Sequence, residues 1–214
     1  MSEKRLGSAS GDARYISPKF KIADWKKLDL DTPRSSNWHI AVKIFLDRIN
    51  GRFLAPVDAI RNHIDSRIAE FAGFVIIAMD CLLIETLVQF RTGQDQTTGD
   101  HAKAFWDFFR ESDFFKHDFD TERKARVFYG HFRCGILHQA QTKKSSLVRY
   151  GRERMVDPAV TGDIEKGLII DRELFHVALV EEINSYAQRL RSPQSGEDRR
   201  LRECFVTKMN FIAR

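Results

Sequence analysis

The stretch that most limits how this chain can fold is a long apolar run in its first half. Residues 71–90 read FAGFVIIAMDCLLIETLVQF, and the only charged side chains among them are Asp80 and Glu85. The run has the length of a bilayer span, but a central Asp costs roughly 2.5 to 3.5 kcal/mol on membrane-insertion scales. We therefore expect a central core helix over about 66–91, ended by Gly93, against which the other elements pack.

The chain as a whole has the size and composition of one globular domain. Its 214 residues are 43% hydrophobic and 30% charged, and the net charge of +5 mildly favours a phosphate-bearing partner. Cys81, Cys134 and Cys204 are far apart and form no C-x-x-C pair, which argues against a disulfide framework or a zinc cluster. The N-terminus MSEKRLGSASGDARY has no apolar signal region. We therefore expect a cytoplasmic protein with no membrane contact.

The polar and apolar patterns divide the chain into three parts. Residues 1–37 form a polar N-terminal extension with short ordered pieces. Residues 38–192 carry apolar side chains mostly at helical spacing and form the main domain. Residues 193–214 form a C-terminal amphipathic helix, which should dock on the core or on a partner chain.

Capping residues and β-prone pieces mark several boundaries in the main domain. Asp100 and Thr121 stand where two helices begin, and the second helix runs from about Glu122 to Gln139. The first of these helices carries a core or interface set of four aromatic residues, Phe105, Trp106, Phe108 and Phe109. Three short β-prone pieces follow the second helix, at 146–150, 155–156 and 168–170. The sequence thus predicts an all-α helical bundle with a small β-ribbon inserted after the second helix.

The helix predicted at 122–139 contains the run FYGHFRCGILHQ, which places polar residues beside an apolar face. Its core face consists of Phe128, Tyr129, Phe132 and Ile136. His131 and His138 are nearly aligned, but they are about 10.5 Å apart along the axis and cannot hold one metal ion as an i,i+4 pair could. We expect no metal site, and the sequence gives no reason to propose a small-molecule cofactor.

Arg133 and His138 are five residues apart and therefore diverge by about 140° around an ideal helix. They would converge if the long arginine reached around the helix or if the helix end loosened near Gly135. A second copy of the chain could instead supply the missing partner across a two-fold axis, which predicts a homodimer with a shared site. The alternative is that the two residues serve solubility and cap the last helix carbonyls.

The segment Arg133-Cys134-Gly135-Ile136-Leu137-His138 resembles the motif of the HEPN superfamily, an Arg followed after four to six residues by a His. Members are all-α domains, and many are ribonucleases in toxin, antiphage and RNA-processing systems. The likeness includes the helical setting and the ribbon that follows, over about 38–192. It implies a metal-independent endoribonuclease, a toxin or antiphage effector, with RNA, a second protomer and an antitoxin or sensor protein as partners. Cys134 departs from the family, whose residue after the Arg is usually polar.

The resemblance implies a role for each motif residue. Arg133 would stabilise the phosphate through its planar, permanently charged fork. His138 would transfer protons while the ribose 2′-OH attacks phosphorus, which yields a 2′,3′-cyclic phosphate and a 5′-hydroxyl. Family members often bring an acidic residue from an earlier helix to orient the Arg. Because an isolated buried charge is very costly, both Asp80 and Glu85 should be paired, most simply with arginines of the helix at 122–139. Glu85 is slightly preferred over Asp80 for orienting the Arg, and a purely structural pairing is the alternative for both.

Further residues are expected to support the site. His131 should be a structural neighbour rather than a catalyst, and Cys134 a supporting residue rather than a nucleophile. The predicted RNA-binding residues follow the motif and are Lys143, Lys144, Arg149, Tyr150, Arg152 and Arg154. This stretch could also be a solvated charged hairpin. The alternative function is a non-catalytic HEPN-like module that binds a partner protein or nucleic acid, and Cys134 favours it.

Overall fold

The computed structural model of the protein describes residues 13–33 and 35–214. In chain order these residues form the helices α1 (Ile22–Lys26), α2 (Asn37–Ile49), α3 (Ala55–Arg61), α4 (Ser66–Phe71), α5 (Gly73–Thr92), α6 (His101–Glu111), α7 (Glu122–Phe128), α8 (Cys134–Gln139), α9 (Arg172–Arg191) and α10 (Gly196–Ile212). The strands are β1 (Leu147–Arg149), β2 (Val156–Pro158) and β3 (Leu168–Asp171). The mostly helical class predicted from the sequence is confirmed.

Helix α5 is the element around which the others pack. It contacts α3, α6, α8, α9 and α10, and its buried positions include Ile77, Ile84 and Phe90. By length and composition α5 could cross a membrane, with a mean hydropathy of 1.9 over its most apolar window, but 44% of that window is buried inside the protein. The expected core helix is thus confirmed, and it ends as predicted at Gly93, whose φ of 71° is left-handed. Its predicted start near residue 66 is wrong, because Ser66–Phe71 form the separate helix α4 and α5 begins at Gly73.

Side-chain caps fix where α6 and α7 begin, at the residues that the sequence indicated. Asp100 accepts a hydrogen bond from the Lys103 N–H, and Thr121 accepts one from the Lys124 N–H. Each cap satisfies an amide that has no partner within its helix. The predicted starts of α6 and α7 are therefore confirmed.

The helix predicted at 122–139 is continuous but not uniform. It consists of α7, a π-helical turn at Tyr129–Arg133, and α8. At the end of the turn, the Cys134 N–H donates to the Tyr129 carbonyl, which is the i to i+5 pattern of a π-helix. The predicted bounds are confirmed, whereas the extra width of the middle turn was not predicted.

An aromatic cluster holds this helix against α6 and α9. Phe128 lies at its centre, with ring centroids 5.5 Å from Phe109, 5.2 Å from Phe132 and 5.0 Å from Phe175. Of the four aromatic residues predicted for α6, Phe105, Phe108 and Phe109 are fully buried and Trp106 is partly buried. The apolar side of the helix at 122–139, called the motif helix below, is therefore packed on the core. Its opposite side is free to carry polar groups.

The predicted ribbon is a small three-stranded sheet in the order β1-β3-β2. Strand β2 pairs with β3 antiparallel, as in a ribbon, but β1 pairs with β3 in parallel, so the simple ribbon topology is wrong. The parallel pair is possible because β2 and its loops provide a long connection between β1 and β3. A Cβ placed on Gly73 would lie 2.8 Å from Val148 Cγ1, so β1 packs closely on the first turn of α5.

Both ends of the described chain join the same core. Trp25 of the expected N-terminal extension and Phe205 of α10 are buried, and their rings lie 5.8 Å apart. Residues 1–12 and Arg34 of that extension lie outside the described residues. The C-terminal helix α10 packs on the core, which is one of the two docking sites expected for it.

We predict that Phe128→Ala lowers the free energy of unfolding by about 3 to 5 kcal/mol, because it removes the central ring of a closed aromatic cluster. Phe114→Ala is the matched control, and since Phe114 is 37% exposed it should cost only about 1 to 2 kcal/mol. Urea denaturation measures both values. Equal losses in the two variants would show that Phe128 is not central to the core.

Candidate functional site

Arg133 lies beside Glu85 at the junction of the π-helical turn and α8. Its Nε donates to Glu85 Oε1 at 2.7 Å, and the side chains are 19% and 18% exposed. Partial burial alone would lower the pKa of Arg133, but the hydrogen bond and charge of Glu85 raise it above its usual value. The expected pairing of Glu85 with Arg133 is thus confirmed, and it fixes the direction of the guanidinium.

Two residues that the sequence did not single out for this site complete the surroundings of the pair. His101, at the start of α6, has its Nδ1 atom 4.0 Å from Glu85 Oε2. The Tyr129 ring lies 5.6 Å from the Arg133 guanidinium and stacks on His101 at 6.4 Å. The Asp100 cap located His101 at a helix start, but the sequence carried no signal that α6 would meet Glu85.

Burial around the pair also perturbs the tyrosine. Burial first, and then a hydrogen bond with the Cys134 thiol, raise the pKa of Tyr129 to about 12. Tyr129 therefore stays neutral at physiological pH and offers the site a hydroxyl and an aromatic face. Cys134, expected as a supporting residue, contacts the site through this bond.

His138 lies apart from Arg133 in the described chain. It is exposed in the last turn of α8, and no hydrogen bond or ion pair links it to Arg133 or to another described residue. Residues 134–139 are α-helical and the π-helical turn precedes them, so the divergence of about 140° persists. The idea that the helix loosens near Gly135 is therefore wrong.

Gly135 instead serves the turn that ends the helix. A Cβ on Gly135 would lie 2.5 Å from the Gln141 carbonyl oxygen, so only glycine allows the chain to fold back there. The Lys143 N–H then donates to the His131 carbonyl at 3.1 Å. This tight return leaves His138 at the protruding tip of the motif helix.

His131 has a structural position, as predicted. It is buried, and its Nδ1 lies 2.9 Å from Ser146 Oγ, which also accepts the Leu168 N–H at 3.1 Å. The Ser146 hydroxyl therefore connects the His131 ring to the backbone of β3. Burial, and then the charge of Lys144, lower the pKa of His131. The residue links the motif helix to the sheet.

Asp80 is not part of this site, so its expected pairing with an arginine of the motif helix is wrong. It is fully buried, and its Oδ1 lies 2.7 Å from Nδ1 of His176 in α9. Burial raises the pKa of Asp80, against the opposing effect of His176. The reason is angular, because Asp80 precedes Glu85 by five residues and so faces about 140° away around α5.

The basic residues after the motif occupy two places. Lys143 packs beside Gly135, whereas Arg149 and Tyr150 lie next to Gly73 at the start of α5. Glu85 is twelve residues further along α5, so about 18 Å separates them from the site along the helix axis. The expectation that the whole stretch lies next to the site is therefore wrong.

Part of this basic charge is already neutralised by other residues. Arg152 and Arg154 lie 2.8 and 3.8 Å from the carboxylate of Asp157. Lys144 Nζ donates to the Glu165 carbonyl at 3.0 Å, and Tyr150 lies 4.8 Å from the Arg172 guanidinium. Of the predicted RNA-binding residues, these four thus have a partner within the fold.

Comparisons with known proteins add no relative, because no protein-family model, no curated protein and no solved structure matches this chain. The resemblance to the HEPN superfamily therefore rests on the motif and its helical setting. Among the described residues, no group of three or more His, Cys, Asp or Glu side chains has the geometry of a metal site.

We predict that His131 makes the protein less stable in mild acid. Because its pKa in the folded protein lies below the unfolded value of about 6.5, the unfolded chain binds the extra proton first. Stability present above about pH 6.5 is therefore lost as the pH falls below that value and through the lower pKa of the folded protein. His131→Asn, whose amide can still form a hydrogen bond with Ser146, should show a smaller loss between about pH 7.5 and pH 5. Urea denaturation at both pH values tests this, and equal losses would contradict it.

Proposed function

We propose that this chain is a metal-independent endoribonuclease that cleaves RNA by attack of the ribose 2′-OH. The observation that carries the proposal is the Arg133 guanidinium, which Glu85 holds by its Nε at a partly exposed position. Because the bond uses Nε, the two terminal nitrogens of Arg133 stay available for phosphate oxygens. A structural arginine more often uses all of its guanidinium nitrogens as donors to protein acceptors. Arg202 does so, with hydrogen bonds to the carbonyls of Leu190, Pro33 and Arg191.

The proposed chemistry follows from the groups at the site. Arg133 stabilises the charge that builds on the phosphoryl oxygens when the 2′-oxygen attacks phosphorus. His138 is exposed at the helix tip, where its imidazole can reach a bound strand and act as a proton-transfer group. The products are a 2′,3′-cyclic phosphate and a 5′-hydroxyl, and no metal ion is needed to form them.

A second copy of the chain would bring His138 to Arg133. An apolar strip along α4 and α5 supports this homodimer, and its exposed residues are Phe71, Phe74, Val75 and Leu82. Exposed apolar patches of this kind mark interaction surfaces. Leu82 is three residues before Glu85, so the strip leads directly to the site. The half-exposed Leu137, next to His138 on α8, adds apolar surface at the helix tip.

The proposed substrate path follows from the charges along α5. A strand bound at Arg133 would first meet Lys143, which packs beside Gly135, and only a longer strand would reach Arg149 and Tyr150 at the edge of the dimer strip. Tyr150 is 58% exposed and could stack on a base at that end. The substrate is therefore a single strand several nucleotides long rather than a short dinucleotide. Such a substrate suits a cytoplasmic toxin or antiphage effector. An antitoxin or sensor protein would then hold the enzyme inactive.

We predict that the purified protein cleaves single-stranded RNA in EDTA, and that Arg133→Ala and His138→Ala each lower the rate at least about 100-fold. The loss follows because one variant lacks the phosphate-stabilising cation and the other a proton-transfer group. Arg67→Ala and His117→Ala, both at exposed positions, are the matched controls and should cleave like wild type. Gel analysis of a labelled RNA measures the rates. Equal cleavage by all five proteins would identify a contaminant and refute the assignment.

We also predict that a mixture of Arg133→Ala and His138→Ala recovers activity that neither variant has alone. In a heterodimer, one of the two shared sites receives an intact Arg133 from one chain and an intact His138 from the other. Random exchange of subunits should restore about one quarter of the wild-type rate, since half of the dimers are mixed and each has one complete site. Leu82→Lys should abolish both the dimer and this recovery. A mixture that stays inactive while the chains demonstrably exchange would exclude the shared site.

The second candidate is a non-catalytic HEPN-like module. Cys134 in place of a polar residue and the uncovered strip at Phe71–Leu82 favour this function, because the strip would serve a protein partner equally well. In that case wild type, Arg133→Ala and His138→Ala would bind the same RNA or protein with similar affinity and leave it intact.

A further inference from the structure

The proposed reaction requires two proton transfers, and the motif helix offers only one exposed imidazole. A base must take the 2′-OH proton, and an acid must protonate the departing 5′-oxygen. We propose that His101 is the general base of this site and that His138 is the general acid. The proposal rests on the proposed ribonuclease function and assigns a residue outside the motif to it.

The orientation of His101 carries the assignment. Its Nδ1 atom is buried, faces Glu85 Oε2 at 4.0 Å, and has no hydrogen-bond partner among the described residues. The side chain is 36% exposed, which leaves the Nε2 edge as the one that a substrate can reach. A carboxylate behind one ring nitrogen and open space at the other is the arrangement by which enzymes hold an imidazole base. Contacts of this kind are often long in the free enzyme and tighten when substrate binds.

One carboxylate therefore orients both reactive groups. Glu85 accepts from Arg133 through Oε1 and faces His101 with Oε2. The Tyr129 ring packs on both partners and limits their movement. A phosphate held by Arg133 would thus place its ribose on the side of the site where His101 lies, within a single protomer.

The two other histidines nearest to the motif helix and α5 are unsuitable for this task. His131 is buried against Ser146, and His176 is buried against Asp80. Neither can reach a polynucleotide without unfolding its surroundings. His101 is the histidine that combines an accessible edge with a carboxylate partner in the described part of the chain.

The proposed step balances without a further reactant. Nε2 of His101 takes the 2′-OH proton while the 2′-oxygen forms its bond to phosphorus and the bond from phosphorus to the 5′-oxygen breaks. The 5′-oxygen leaves with a proton from His138. Glu85 stabilises the imidazolium that forms on His101. His101 then returns its proton to water and His138 takes one up from water, so that both residues are restored.

The test compares two substrates in EDTA, ordinary RNA and RNA with a 5′-bridging sulfur at the cleavage site, which leaves without protonation. His101→Ala and His101→Asn should each lower kcat/KM at least about 100-fold on ordinary RNA and stay slow on the sulfur substrate. His138→Ala should regain most of its rate on the sulfur substrate. His101→Asn keeps an amide facing Glu85, so its loss separates proton transfer from positioning. His117→Ala is the control, and melting temperatures confirm that the variants fold.

Each other outcome overturns a definite part of the proposal. Cleavage by His101→Ala or His101→Asn at the wild-type rate removes His101 from the chemistry and leaves the ribonuclease function intact. If the sulfur substrate restores the rate of His101→Ala, His101 is the general acid and its role as general base is refuted. A folded wild-type protein that cleaves neither substrate refutes the ribonuclease function, and with it the role of His101.

Discussion

A carboxylate on an otherwise apolar core helix must have a partner, and this requirement organises the candidate site. Glu85 lies on α5, the helix against which most of the protein packs, and it is only 18% exposed. A partly buried charge of this kind needs a hydrogen-bonded counter-charge, because desolvation without one is costly. Arg133 supplies that charge, and the pair fixes how the motif helix lies on α5.

The π-helical turn gives the motif helix two different functions along its length. Before the turn, Phe128 packs into the aromatic cluster, and at the end of the turn Arg133 points to Glu85. The extra residue in the turn changes the angular relation between the core face and the residues that follow. Such turns are frequent at functional sites, which agrees with a role for Arg133 beyond stability. The tight return at Gly135 then exposes His138.

Glu85 and Asp80 show how two acidic residues of one helix acquire different roles. Both are on α5, but Asp80 faces α9 and pairs with a buried histidine, whereas Glu85 faces the motif helix and the start of α6. The Asp80–His176 pair is fully buried in the core and stabilises the packing of α9 on α5. The second is partly exposed, and there a guanidinium and an imidazole face one carboxylate.

The sequence by itself determined the helical class, the core role of α5, the caps at Asp100 and Thr121 and the bounds of the motif helix. These features depend on periodicity and on contacts between residues close in the chain, so a single sequence displays them. It also slightly favoured Glu85 over Asp80 as the partner of Arg133, from the cost of an isolated buried charge and from a family resemblance. Only the tertiary structure decided that Asp80 pairs with His176, that β1 and β3 are parallel, and that His101 and Tyr129 join Glu85. Those contacts link elements far apart in sequence, and their geometry depends on how helices pack and on one widened turn, which no local pattern encodes.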